Sequence, residues 1–190
     1  MSSQALERGE LNARQARTVE NLLDAGAEEL RAVGVDALTI RTVAFRAGVS
    51  PATAYTYFDS KDHLFAELFW RHLRSHPTPQ RSSDDPVTRL RALTQSLAAM
   101  LTAFPEVAAA ATRALLGTDP AVERLRVRIG TEYLARFQAA LGGDADPLLL
   151  DTLLLTFFGA LLQAGMGLLP QEELAGRLGD AFAVILRGNA

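Results

Sequence analysis

Apolar residues recur along this chain at spacings of three and four. Val19, Leu22, Leu23, Ala27 and Leu30 place one stripe on a helix predicted over residues 14–33. Gly34 follows it and suits a left-handed C-terminal cap. Residues 1–13 are polar and are read as a frayed, flexible arm. Thr39 stands where an N-cap belongs, before a short helix to residue 46 whose buried edge is Val43, Ala44 and Ala47. Gly48 interrupts the pattern. Ser50 caps the next helix, with Pro51 at its first position, where a missing N–H costs nothing. That helix is very short and ends near residue 57. Ser60 caps a longer one to residue 74, with Leu64, Phe65, Leu68, Phe69 and Leu73 in helical register.

A polar stretch, SHPTPQRSSDDP over residues 75–86, separates this unit from the rest. It holds three of the eight prolines and reads as a connection between two parts of the molecule. Five longer helices are predicted beyond it: 86–103, 105–116, 120–141, 147–169 and 171–187. Pro105, Asp119-Pro120 and Asp146-Pro147 open three of them, and Gly117, Gly142-Gly143 and Gly188 close others. No segment alternates with period two, so no strand is expected and the fold class is all-α with about nine helices. Residues 152–169 form an uncharged run. A membrane span needs about 20 mostly apolar residues. This run contains Thr156, Gln163 and three glycines, starts directly after Asp151 and lacks a flanking basic cluster. It is read as a helix buried in a protein–protein interface, with no membrane partner.

Composition narrows the chemistry. The 190 residues are 48% hydrophobic and 22% charged, which fits a folded globular chain. There is no Cys, so a disulfide framework, a thiolate metal site and a Cys nucleophile are excluded. No apolar leader opens the sequence, and a cytoplasmic location is expected. The net charge is −3, and residues 1–76 carry nine basic against ten acidic side chains. A general polyanion binder is basic, so any nucleic-acid binding here must come from local placement.

The informative segment is TIRTVAFRAGVSPATAYTYF, residues 39–58. Two short helices meet at a tight turn containing Gly48, as in a helix-turn-helix whose second helix enters the DNA major groove. On a helical wheel Ala54 and Phe58 fall on one side, with Pro51 near them. Ala52, Thr53, Thr56 and Tyr57 fall on the other, with Tyr55 at the margin. Such a hydroxyl-bearing face can approach bases and phosphates closely, and it serves no packing purpose.

These residues carry a resemblance. Thr39, Val43-Ala44, Ala47-Gly48-Val49-Ser50, Thr53, Tyr55, Tyr57-Phe58, Ser60-Lys61 and Leu64 follow the pattern of the tetracycline-repressor (TetR) family of transcriptional regulators. The likeness runs from about Ala25 to Leu73. It implies an all-α homodimer. An N-terminal three-helix domain would bind double-stranded operator DNA, and a C-terminal domain would bind a small-molecule effector and dimerise through its last two helices. The corresponding division is an arm at 1–13, the DNA-binding domain at 14–59, a connecting helix at 60–74 and the effector domain at 75–190. The resemblance implies DNA contacts by Arg41, Thr53, Tyr55, Tyr57 and Lys61. Thr42 is a second-rank phosphate candidate, and Ser50 is a cap first and a contact second.

The effector domain is read by composition. Trp70, Met100, Phe104, Tyr133, Phe137, Phe157 and Gln163 are the residues expected at a cavity, which suits a hydrophobic or aromatic effector. For the dimer, helices 147–169 and 171–187 are expected to pair with their symmetry copies as a four-helix interface, with a stripe of Leu174, Leu178, Ala181, Phe182 and Ile185 on one and Gly159, Ala160 and Gln163 among leucines on the other. The function expected is a ligand-released repressor. A constitutive helical DNA-binding or dimerising protein is the alternative, and a small all-α enzyme a lesser one. His72 and His76 are spaced i, i+4, yet no HExxH frame or third ligand accompanies them. Neither a catalytic residue, nor a metal, nor a cofactor is therefore expected.

Overall fold

The computed structural model describes residues 3–79, 83, 85–142 and 145–188, with side chains from Ala13 onwards. Among these residues there are nine helices and no strand. They are α1 (Ser3–Ala37), α2 (Ile40–Arg46), α3 (Pro51–Tyr57), α4 (Lys61–Ser75), α5 (Pro86–Ala103), α6 (Pro105–Leu116), α7 (Pro120–Leu141), α8 (Pro147–Gly165) and α9 (Gln171–Arg187).

The starts of these helices follow from local chemistry. The Thr39 hydroxyl accepts the Thr42 N–H at 3.1 Å, and the Thr42 hydroxyl accepts the Thr39 N–H at 3.2 Å, a reciprocal capping box. The Ser50 hydroxyl accepts the Thr53 N–H at 3.1 Å, and the Ser60 hydroxyl accepts the His63 N–H at 3.0 Å. Asp85, Asp119 and Asp146 cap α5, α7 and α8 in the same way. Each cap contributes about 1 kcal/mol.

Three boundaries differ from the sequence reading. The first helix begins at Ser3 rather than at Arg14. Residues 3–13 are rich in Ala, Leu, Glu, Arg and Gln, which sustain a helix on their own propensity. Its far end bends at Gly34 (φ 76°) and adds a last turn to Ala37. The eighth helix stops at Gly165 instead of reaching residue 169; the chain turns through Gly167 (φ 73°), and Leu169 drops back into the core. Residues 80–82 and 84 of the polar connection, and Gly143 after α7, lie outside the described residues.

Helices α1 to α4 share a core of Leu22, Leu30, Leu38, Val43, Leu64 and Leu68. The other side of α4 packs on α6 and α7, so the core continues into the C-terminal helices without a break. There α9 lies on α5 and α8. Two buried arginines finish helix C-termini, where the last carbonyls lack partners. Arg136 donates to the Leu73 and His76 carbonyls at 2.6 and 3.1 Å, closing α4. Arg89 donates to the Leu141 carbonyl at 2.8 Å at the end of α7, and to the Ser83 carbonyl at 2.9 Å.

Candidate nucleic-acid interface

The turn between α2 and α3 is set by Gly48. Its φ of 68° is a conformation that L side chains rarely adopt. The Val49 N–H donates back to the Ala44 carbonyl at 3.0 Å, so the turn is closed by backbone alone. Ala54 (0% exposed) and Phe58 (2%) anchor α3 in the core. The pinned side of α3 decides its free side: Pro51, Ala52, Tyr55 and Thr56 are exposed. Pro51 faces outward.

The seven residues named as DNA contacts separate into three groups. Arg41 and Tyr55 are exposed, and neither side chain has a partner among the described residues. Thr42, Ser50 and Thr53 lie at the same surface with their hydroxyls engaged in helix caps; Ser50 and Thr53 hydroxyl oxygens are 2.9 Å apart. Tyr57 and Lys61 are half-buried. Tyr57 packs against the core, and the Lys61 ammonium donates to the Val35 carbonyl at 3.2 Å, joining the starts of α4 and the end of α1.

Sequence reasoning passed over two neighbours. Phe45 is 87% exposed, one helical turn after Arg41. Arg41, Thr42 and Phe45 line a cleft of about 520 Å³ against α1. Arg46 is held from behind: its Nε and Nη2 both lie 2.7 Å from Oε2 of the buried Glu29. A Phe at an exposed helical position, four residues from a candidate base-reading Arg, was the available signal for Phe45.

The expected effector residues do not form one site. Tyr133, Phe137 and Phe157 are buried in mutual ring contact, with centroids 5.0 and 5.2 Å from Phe157. They act as core, and burial pushes the Tyr133 hydroxyl above its ordinary pKa. Trp70 is half-buried, with the Arg128 guanidinium 4.7 Å from its ring. Met100 and Phe104 meet at the α5–α6 corner. Gln163 is exposed on α8, as are Leu155 (67% exposed), Phe158 (41%) and Leu162 (41%) on the same helix and Met166 (56%) at its C-cap. The expected α9 stripe is also corrected. Leu174, Leu178 and Phe182 are at most 2% exposed, turned into their own protomer's core on α5 and α8. Helical spacing detects an apolar face but not which neighbour covers it.

Helix α8 is long and apolar enough by composition to cross a membrane. It is the same helix whose open face is described above. Among the described residues no three His, Asp or Glu side chains are grouped to hold a metal ion. His76 shares a hydrogen bond with the Ser96 hydroxyl at 2.8 Å, and His72 stacks on Phe104.

An exposed two-turn helix, held from behind by two apolar anchors and led by a tight glycine turn, is the arrangement that presents side chains to a DNA groove. Comparison with known proteins agrees. Residues 22–68 match the family model for bacterial regulatory proteins of the tetR family. Uncharacterized HTH-type transcriptional regulators of Mycobacterium tuberculosis and Mycobacterium bovis are 43% identical over 179 residues, spanning 93% of this chain and 84% of theirs. A TetR transcriptional regulator from Rhodococcus sp. RHA1 has the same fold, with a TM-score of 0.75, 20% identity, and coverage of 90% of this chain and 97% of that one. The chain belongs to the TetR family of DNA-binding transcriptional regulators.

Proposed function

We propose that this regulator is a cytoplasmic homodimeric repressor that a small molecule releases from its operator, acting by binding rather than catalysis. The observation that carries the DNA half is the open face of α3 with Tyr55, set beside the unpaired Arg41. Arg41 would read a guanine edge through its bidentate fork. The caps at Ser50 and Thr39 would turn backbone N–H groups and hydroxyls toward phosphates, and Lys61 would add one charge. Phe45 would lie against sugar or thymine methyl groups.

The dimer half rests on α8. Leu155, Phe158, Leu162 and Met166 are spaced along one face and exposed together. A contiguous apolar patch of this kind marks an interaction surface, and a two-fold dimer is the commonest occupant. Pairing two copies there would set the two α3 helices roughly 34–36 Å apart, one DNA turn.

The packed Tyr133–Phe137–Phe157 cluster favours a second reading, a constitutive repressor with no effector. Fluorescence anisotropy on DNA from upstream of the protein's own gene tests the first half. Specific binding that competes poorly with random DNA is expected, and indistinguishable affinity for both would reject it. Linkage tests the second half. An effector that weakens operator binding must itself bind more weakly, by the same factor, to the operator complex. A thermal-shift screen that finds no ligand, with repression intact, would leave the constitutive reading.

A further inference from the structure

Helix α3 has seven residues, PATAYTY, and its anchors fix which of them can reach a base. Ala54 and the C-cap Phe58 are buried. At about 100° per residue, Thr56 lies about 180° from their mean direction, and Ala52 lies about 40° from Thr56. Both are exposed. Thr53 and Tyr55 fall to either side, about 60° and about 100° from Thr56. The middle of the face that a groove receives is therefore Ala52 and Thr56, one helical turn apart. Both side chains are small, so neither holds the α3 backbone away from base edges.

The hydrogen-bonding capacity of this middle is narrower than its composition suggests. The Thr56 hydroxyl donates to the Ala52 carbonyl at 3.0 Å, so its one hydrogen is spent inside the helix. Ala52 has no polar side-chain atom. On one flank, the Ser50 and Thr53 oxygens share a hydrogen across 2.9 Å, and Ser50 also accepts the Thr53 N–H. On the other flank stands the exposed Tyr55. No Arg, Lys, Asn or Gln lies on α3. The middle of α3 thus offers two methyl groups and the spare lone pair of one hydroxyl, and it has no donor. Guanine shows the major groove two acceptors, N7 and O6, which need donors. Cytosine shows an amino donor without a methyl. An A·T pair shows both an amino donor, on adenine, and the thymine C5-methyl. It is the one pair that meets both the methyl groups and the lone pair.

We propose that the middle of α3 reads thymine: each operator half-site carries an A·T pair beneath Ala52 and Thr56, with the thymine 5-methyl against their methyl groups. The proposal rests on the DNA-binding reading above and gives that site a sequence class. Guanine is left to the guanidinium of Arg41 on α2, and phosphates to Tyr55 and the helix caps on the flanks. Removing one methyl group from water at such a contact contributes about fourfold in affinity. A two-fold dimer makes the contact twice, so thymine methyls under α3 are worth about fifteenfold on a whole operator.

The probe is a library of random-sequence duplexes, enriched over several rounds for binding to the full chain. A consensus with an A·T pair in each half-site is expected. The best duplex is then made again with uracil in place of every thymine, which keeps the base pairs and removes only the 5-methyl groups. Anisotropy should show binding weakened by about tenfold or more. Thr56→Ser keeps the hydroxyl that bonds the Ala52 carbonyl and removes only the side-chain methyl, at an exposed position outside the core. It should bind the thymine duplex more weakly than the parent, and its loss on going to uracil should be at least twofold smaller. The uracil comparison uses the parent chain, so it decides even if the variant folds poorly. A consensus without A·T pairs, equal parental affinity for the two duplexes, or an undiminished uracil loss in Thr56→Ser would each overturn thymine reading by α3 while leaving a specific DNA-binding protein. Failure to enrich any consensus overturns the DNA-binding reading together with this one.

Discussion

Arg41 is a first-turn guanidinium with no internal task, whereas Lys61 already has one. Their substitutions should therefore behave differently. Arg41→Ala is expected to cost about 1–3 kcal/mol of operator affinity and relax specificity at one base pair, with stability unchanged. Lys61→Ala should lower the salt dependence by about one charge and also destabilise the fold, because the Val35 carbonyl loses its donor. Paired anisotropy and urea titrations separate the two; an Arg41→Ala protein with parental operator affinity would remove Arg41 from the interface. His72 supplies a pH test. Its folded pKa lies below the unfolded value of about 6.5. The unfolded chain therefore binds the proton first, and stability present above that pH is lost as pH falls through the folded pKa. Urea midpoints at pH 7.5 and 5.5 should fall further in the parent than in His72→Phe, and equal falls would clear His72 of the effect.

Between elements, one hydrogen bond joins the DNA-binding unit to the C-terminal helices at its base. The Ser60 hydroxyl donates to Asp119 Oδ2 at 2.5 Å while accepting the His63 N–H. Asp119 Oδ1 accepts the Ala121 N–H at 2.9 Å. The N-termini of α4 and α7 are thus capped by one shared pair, two residues from the α3 C-cap Phe58. The Ser60 hydroxyl first, and the Ala121 N–H second, hold the Asp119 pKa below its ordinary value. A carboxylate stabilised in this way supports the fold above its unfolded pKa, and that support disappears as pH falls through the folded pKa. Ser60→Ala should cost about 1–2 kcal/mol through the lost cap. In a double-mutant cycle with Asp119→Ala, the two losses should fall short of additivity by at least about 0.5 kcal/mol. Strict additivity would show that the two caps work independently.

The whole molecule offers one large apolar face and hides another that looks similar in sequence. Leu155 and Phe158 lie on the open face of α8, and Leu178 lies inside on α9. Leu155→Glu with Phe158→Glu is expected to yield a folded monomer by light scattering and circular dichroism, with operator affinity greatly reduced. Leu178→Glu should instead unfold the chain, since it places an unpaired charge in the core. A Leu155→Glu/Phe158→Glu protein that remains dimeric would move the interface off α8.

The sequence alone set the helix count, most helix starts and the helix-turn-helix. Caps, N1 prolines and glycine turns act within four residues, so their physics is written locally. Ala54 and Phe58 were legible as anchors for the same reason. The roles decided by distant partners were not legible. Lys61 meets Val35 across 26 positions, and Arg136 reaches Leu73 across 63. The α9 stripe and the α8 stripe have the same periodicity; only the packing of α9 on α5 turned one inward and left the other open. The aromatic residues at Tyr133, Phe137 and Phe157 became core, while Phe104, at the break between α5 and α6, became the cover over His72. Period reports that a face is apolar. Which surface removes it from water depends on contacts between residues far apart in the chain, and those exist only after the helices have packed.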